Sequence, residues 1–327
     1  MAFNRKAKLR DNIEAIRTLF ELERAGRKAT PEEREILTRY CGFGGLKCIL
    51  NPATSLSDSI RWTKSDLELF PMTMELHRIV RDNASNESEY KHYMDSLKSS
   101  VLTAFYTPVE IVSTLADTLH QHGITSQRLL DPSAGQGVFI AELEKQAPRA
   151  EVMAFEKDLL TGKLLSHLYP EHKIRIEGFE KIEHPFNNYF DVVTSNIPFG
   201  DIAVFDPLFN ESRDNARRQS TKAIHNYFFI KGLDAVRQGG IVAFITSQGV
   251  MNVPHYEPQR RWLMENADLV SAIRLPNNLF TEIANTEVGS DLIILQKHTG
   301  KGQLSGEERS FLNGYVTAFG TTDNQYY

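Results

Sequence analysis

Between about residue 101 and residue 298, short apolar runs alternate with helical segments, and this alternation restricts the chain more than any other feature. The runs are Arg128–Leu130, Glu151–Phe155, Lys173–Ile176, Asp191–Ser195, Gly240–Thr246, Leu269–Ile273 and Asp291–Leu295, with helix starts expected at Pro108, Gly137 and Lys222. Strands alternating with helices predict an α/β fold, a parallel sheet covered on both faces. Ligands of such sheets bind beyond the carboxyl ends of the strands, so the residues just after each run are where chemistry is sought.

Residues 1–100 read as a separate helical region. Leu9, Ile13, Ile16, Leu19 and Phe20 recur at helical spacing, with Gly26 as a stop. Thr30-Pro31-Glu32-Glu33 starts a second helix: a capping threonine, a proline in the first turn and a glutamate three residues after the cap. That helix is expected to end near Gly42, with Cys41-Gly42-Phe43-Gly44-Gly45 a flexible loop. A third helix is expected over about Asp66 to Arg81, with Pro71 a boundary or kink, and a short fourth ends near Lys98. Residues 299–327 read as a C-terminal tail.

Hydrophobic residues at 41% and charged residues at 24% suit a folded chain with an ordinary core. The net charge of -5 excludes a dedicated non-specific DNA binder, which is basic overall, so any positive charge for nucleic acid must be local. Cys41 and Cys48 lack zinc spacing; no metal is expected, and a reducing, cytoplasmic setting fits. The basic start, Met1 to Arg10, is followed by no apolar run, and no stretch is long enough for a bilayer, so neither a secretory signal nor membrane contact is expected.

The first run leads into Asp131-Pro132-Ser133-Ala134-Gly135-Gln136-Gly137-Val138-Phe139, a strand, tight loop and helix. Gly135 and Gly137 let the backbone turn sharply and approach a ligand, although a lone G-x-G also fits an ordinary βα turn. Glu156, at the tip of the second run, offers a carboxylate to ribose hydroxyls or to solvent. The G-x-x-x-x-G-K-[ST] phosphate loop of an ATPase is absent. Asp131 would repel a pyrophosphate and welcome the cationic end of a sulfonium amino acid, which favours S-adenosylmethionine over NAD.

After the fourth run stands Ser195-Asn196-Ile197-Pro198-Phe199-Gly200. It resembles the Asn/Asp-Pro-Pro-Tyr/Phe motif of amino-group methyltransferases. Phe105-Tyr106-Thr107-Pro108 resembles the methionine-binding motif of the N6-adenine DNA methyltransferases, and Asp131 to Phe139 their cofactor loop. The motifs stand in the family's order over about residues 101–298, which the resemblance makes the catalytic domain. It implies a Rossmann-like sheet that binds S-adenosyl-L-methionine through Phe105, Tyr106, Thr107, Pro108, Asp131, Ser133, Ala134, Gly135, Gly137, Phe139 and Glu156. It implies catalysis by Asn196, Ile197, Pro198 and Phe199. The Asn196 oxygen and the Ile197 carbonyl would accept the two N6 hydrogens, Pro198 would stiffen the turn and Phe199 would stack on an extruded base. Ile197 departs from the family's proline: it loses rigidity and adds an N–H, and lowered activity is one expectation.

A longer resemblance takes in Ala29 to Glu33, Tyr40 to Leu46, Ser195 to Asp201, Ile224 to Phe228, Gly239-Gly240, Ala243 to Ser247 and Arg274 to Asn277. These are similar to the methylase region of large methylase–helicase proteins of phages and conjugative elements. The resemblance implies mobile-element DNA modification or anti-restriction, with a helicase region on a longer parent chain or a partner; without helicase motifs, this chain would be free-standing or truncated. Arg213, Arg217, Arg218 and Lys222 are either DNA phosphate contacts or a solvated basic loop. Phe179 either stacks on the cofactor adenine or belongs to the core, and His225 reads as structural. Other outcomes are an RNA adenine or protein-amide substrate, or a cofactor-binding module without activity.

Overall fold

The computed structural model describes residues 4–103, 106–281 and 287–327. Each of the seven apolar runs is a strand: β1 (Arg128–Asp131), β2 (Glu151–Phe155), β3 (Lys173–Arg175), β4 (Phe190–Asn196), β5 (Val236–Ser247), β6 (Ala267–Leu275) and β7 (Ser290–Lys297). They form one sheet in the order β3-β2-β1-β4-β5-β7-β6. Neighbours pair in parallel from β3 across to β5, but β7 runs antiparallel to both β5 and β6. The expectation of a parallel sheet is corrected there. A buried apolar run such as Asp291–Leu295 carries no direction of its own; the connection sets it.

The central strands β2, β1, β4, β5 and β7 carry buried apolar runs because both faces are covered there, while the edge strands β3 and β6 are partly exposed. Leu130, Met153, Phe155, Val193, Val242, Phe244, Ile293 and Leu295 share one core. It packs under α10 (Ile224–Ala235), α12 (Glu257–Asn266) and α13 (Gly306–Leu312). Their chain neighbours Leu129, Val152, Ala154, Val192, Ile241, Ala243, Ile245, Leu292 and Ile294 face the other core. That one packs under α5 (Val109–Gln121), α6 (Val138–Gln146) and Leu165 of α7 (Leu159–Leu168). Pro108 and Gly137 are the N-caps of α5 and α6, and Lys222 lies one residue before the N-cap of α10.

The N-terminal region contains α1 (Arg5–Ala25), α2 (Pro31–Thr38), α3 (Phe70–Asp82) and α4 (Glu87–Thr103). Asn4 caps α1 and Gly26 ends it in the left-handed region, while Thr30 and Glu33 form the expected capping box. α2 stops four residues short of Gly42, because the following segment turns inward instead of forming a flexible loop. Tyr40, Phe43 and Leu46 are buried. The Asn12 side chain clamps the turn, accepting from Cys41 N at 2.8 Å and donating to Gly42 O at 2.7 Å. α4 runs past Lys98 because its later turns reach the sheet region, burying Leu97 and Val101.

These helices do not close a core by themselves. Leu160, Leu164 and Leu168 on one side of α7 complete it, while Leu165 serves the sheet. Ser96 Oγ bonds the Asp158 carboxylate and accepts from Leu160 N, and Lys163 pairs with Glu23 at 2.8 Å.

Residues 299–327, expected as a tail, carry α13 and a two-stranded pair, β8 (Gly314–Val316) with β9 (Thr322–Asn324). Phe311 and Leu312 join the sheet's core. The buried Arg260 guanidinium donates to Leu312 O at 2.9 and 3.0 Å and to Val250 O and Val253 O at 2.9 Å. Asn324 donates to Met251 O and Phe311 O. The segment is polar in sequence because its hold is hydrogen bonding to backbone carbonyls as much as apolar burial. Among the described residues no helix is long and apolar enough to cross a membrane.

The shared core makes a prediction. Leu160→Ala should cost about 2–5 kcal/mol, as for other buried leucines. Hydrogen exchange should quicken in α1 and α4 as well as in α7; an effect confined to α7 would contradict a common core.

Candidate functional site

The chain runs from β1 outward to β2 and β3, then returns to place β4 on the other side of β1. This reversal opens a crevice at the carboxyl ends of β1 and β4, the place where such sheets bind ligands. Leu129 and Leu130 pair in register with Val192 and Val193, which brings Asp131 beside Ser195. Ser195 Oγ donates to Asp131 Oδ1 at 2.7 Å and lies 3.1 Å from Ser133 O. Ser133 N donates to the same carboxylate oxygen at 3.2 Å. Asp131 is 0% exposed, and its Oδ2 has no partner among the described residues. Ser195, next to Asn196, therefore ties the loop after β1 to the segment that ends β4. The signal that could have revealed it is that two adjacent parallel strands both end in polar side chains.

The glycine loop lies across the tip of β2. Ala134 N donates to Phe155 O at 2.9 Å, and Gly135 N to Glu156 Oε2 at 2.8 Å. Glu156 Oε1 accepts from Asp158 N at 2.7 Å. Gly135 and Gly137 have φ of 54° and 82°. A Cβ on Gly135 would come within 2.8 Å of the Tyr106 ring, and one on Gly137 within 2.5 Å of Tyr169. Only glycine fits at either position. The Tyr106 segment thus covers the loop, with Thr107 buried and its hydroxyl without a partner among the described residues. Phe105 lies outside the described residues.

Burial pushes the Asp131 carboxyl up to about 7, against the opposing hydrogen bonds from Ser195 and Ser133. Burial, then the charge of Asp158, pushes Glu156 up to about 7. Burial also holds the Tyr106 phenol well above its usual range, helped by Tyr40 and the Glu156 and Asp158 charges.

Asn196 ends β4, and Pro198 and Phe199 follow half-buried. Ile197 answers its departure from proline: its side chain is buried in the core, and its N–H donates to Ile245 O at 3.0 Å, adding a bond to the β4–β5 ladder. The added N–H is a structural gain that proline would forfeit. Gly200 N donates to Nδ1 of His225 at 3.3 Å. Burial pushes His225 down to about 4, so it is neutral near pH 7 and pins the loop by its backbone.

Three groups of expected site residues fall elsewhere. Phe179 is 1% exposed among Phe155, Tyr227 and Phe228, which assigns it to the core rather than an open adenine face. Phe139, in the first turn of α6, is buried in the core on that face of the sheet. Arg217 is corrected as a phosphate contact: it pairs with Asp234 at 2.6 Å and lies 5.2 Å from the Phe209 and Trp262 rings. Arg218 donates to Ser212 O and Asn215 Oδ1 within its own loop. Arg213 and Lys222 are exposed and make no ion pair among the described residues.

This donor and acceptor set fits S-adenosylmethionine. Asp131 Oδ2 is a buried acceptor with no partner among the described residues, the Glu156 oxygens each accept one backbone N–H and keep lone pairs that ribose hydroxyls would use, and the glycine cradle leaves no Cβ in the way. When bound, the cofactor supplies an electrophilic methyl on a positively charged sulfur.

The raised carboxyls set a pH dependence. A carboxyl with a higher pKa folded than unfolded favours the fold below its unfolded value, and that advantage is lost as pH rises through its folded value. The ligand-free fold therefore loses this contribution between the ordinary carboxylate range and about pH 7. Thermal unfolding of Asp131→Asn against wild type should show a difference that moves in the variant's favour as pH rises to 7. A difference independent of pH would contradict the assignment.

The N-6 DNA Methylase family matches residues 91–310, more than half of the chain. The chain is 28% identical over 205 residues to defense against restriction protein B of Escherichia phage P1, covering 60% of this chain and 8% of that one. It is 26% identical over 216 residues to modification methylase CviBIII of Paramecium bursaria Chlorella virus NC1A, covering 65% of this chain and 55% of the relative. The chain thus spans only part of these relatives. A Listeria monocytogenes structure assigned as a class I S-adenosylmethionine-dependent methyltransferase superposes with a TM-score of 0.53 at 14% identity, covering 91% of this chain and 90% of that one. A Vibrio vulnificus YJ016 structure assigned as the modification subunit of a type I restriction enzyme gives 0.51 at 16%, covering 87% and 75%. The chain belongs to the N-6 DNA Methylase family, with the fold of the S-adenosylmethionine-dependent methyltransferases.

Proposed function

We propose that this chain transfers the methyl group of S-adenosylmethionine to N6 of adenine in DNA, as the modification part of a mobile-element system that counters restriction. The observation that carries the reading is the junction of Asp131 and Asn196 through Ser195, which sets a cation-seeking carboxylate beside an amide acceptor at the mouth of one crevice. The adenine N6 lone pair is delocalised into the ring, so N6 is a poor nucleophile. The Asn196 side-chain oxygen accepts one N6 hydrogen and the Ile197 carbonyl the other. Both bonds favour a pyramidal nitrogen whose lone pair points at the methyl carbon. The C–S bond breaks as the N–C bond forms, and the extra N6 proton leaves to water. Phe199 offers the half-buried ring on which an extruded base stacks. The mobile-element context is supported by the likeness to the phage P1 relative.

Tritiated methyl transfer to separate DNA, RNA and protein pools tests the substrate. The expected outcome is incorporation into DNA as N6-methyladenine. Asn196→Ala should lower turnover roughly 10²–10³-fold, the loss typical of a missing transition-state acceptor or donor, with cofactor affinity nearly unchanged. Ile197→Pro, which restores the family's residue, should lower stability and not raise turnover, because the bond to Ile245 is lost. Incorporation only into RNA or protein, or full turnover by Asn196→Ala, would overturn the reading.

A further inference from the structure

A second polar recess adjoins the loop that follows Phe199. A cavity of about 320 Å³ is lined by Asp201, Asn215, Gln219, Lys222, Tyr256 and Gln259, among others. Asp201 follows Phe199 by two residues, and the Tyr256 hydroxyl bonds its carboxylate. The His225 ring that holds Gly200 packs edge-on against Tyr256 at 5.2 Å. The recess therefore shares a wall with the proposed base-capturing loop. Asn196, Ile197, Pro198 and Phe199 do not line it, so it is not where a target base meets Asn196.

Its lining is built for a ligand. Gln259 is 5% exposed, yet its side-chain oxygen has no partner among the described residues. A buried carbonyl oxygen is costly to leave without a donor. Arg218 occupies the Asn215 oxygen, so Asn215 has its amide hydrogens left to offer, and Gln219 is half-buried on α9 (Asn215–Ser220). Lys222, exposed and without an ion pair among the described residues, puts an ammonium at the rim. Amide donors beside amide and carboxylate acceptors match the major-groove edge of adenine, whose N7 accepts and N6 donates, or of cytosine, whose N4 donates. An ammonium at the rim matches its phosphate. The Asp201 carboxylate disfavours a bare anion deep in the recess and leaves the phosphate to Lys222.

We propose that this recess seats the base of a nucleotide flanking the target adenine, with Lys222 on that nucleotide's phosphate, and so gives the enzyme a preference for adenine or cytosine at one neighbouring position. This rests on the DNA reading above. The recess then supplies sequence selectivity close to the target.

A random-sequence duplex library methylated by the whole chain, with methylated positions read by sequencing, tests it. The expected result is a preference of about tenfold for adenine or cytosine at one adjacent position. Gln219→Ala and Gln259→Met should flatten that preference while adenines elsewhere in the library are still methylated. Gln219→Ala carries the test if the buried Gln259 variant fails to fold. Lys222→Ala should weaken duplex binding for every sequence and reduce the slope of log affinity against log salt by about 1. Methylated adenines with no neighbouring preference, or a preference that Gln219→Ala leaves intact, would overturn the recess and spare the DNA reading. No methylation of any duplex would overturn both.

Discussion

The Ser195–Asp131 hydrogen bond holds this site together. It joins the ends of β1 and β4 across the point where strand order reverses, and it does so inside the protein, where a carboxylate is expensive. One oxygen of Asp131 is satisfied by Ser195 and Ser133; the other is buried and has no partner among the described residues. The pairing fixes the side chain and leaves Oδ2 for a ligand. Because Ser195 precedes Asn196, the bond that presents the carboxylate also sets where the amide acceptor leaves the strand. The loop after β1 and the segment from Asn196 are thus registered by one contact.

The glycine loop depends on the same economy of space. It is bonded to Glu156 and Phe155 at the tip of β2 and covered by Tyr106, so it can shift only if Glu156 changes partners. Asp158, just beyond Glu156, caps α7 and is held by Ser96 of α4. The N-terminal helices are therefore mechanically continuous with the cofactor site through α7, whose leucines serve two cores.

The central strands were legible because burial on both faces makes their runs apolar, a pattern that depends on local residues alone; the edge strands β3 and β6 are mixed and partly exposed. The reversal of β7 was not, since direction belongs to the connection. The inward turn at Cys41 to Gly45 was hidden because its glycines look like a flexible loop, while its order comes from Asn12, 29 residues away from Cys41 in sequence. Asp131, Gly135, Glu156 and Asn196 could be placed from their positions after strand ends. Arg217 could not, because its partner Asp234 lies 17 residues on and only folding makes them meet. Ile197 looked like a defect in a motif; its N–H acquires a purpose only once Ile245 is seen opposite.

The central claim is that the crevice binds a cation on the ionised Asp131. In the free protein this carboxyl is pushed up to about 7, so near that pH part of the population is protonated. Binding a sulfonium amino acid must then expel the proton. Calorimetry of S-adenosylmethionine binding near pH 6.5, in buffers of different ionisation enthalpy, reads proton exchange directly, at about pH 6.5 because it lies just under the raised value. Binding is expected with net proton release that falls in Asp131→Asn to the share Glu156 supplies. Binding with no proton exchange, or with uptake, would contradict it, as would no binding at all.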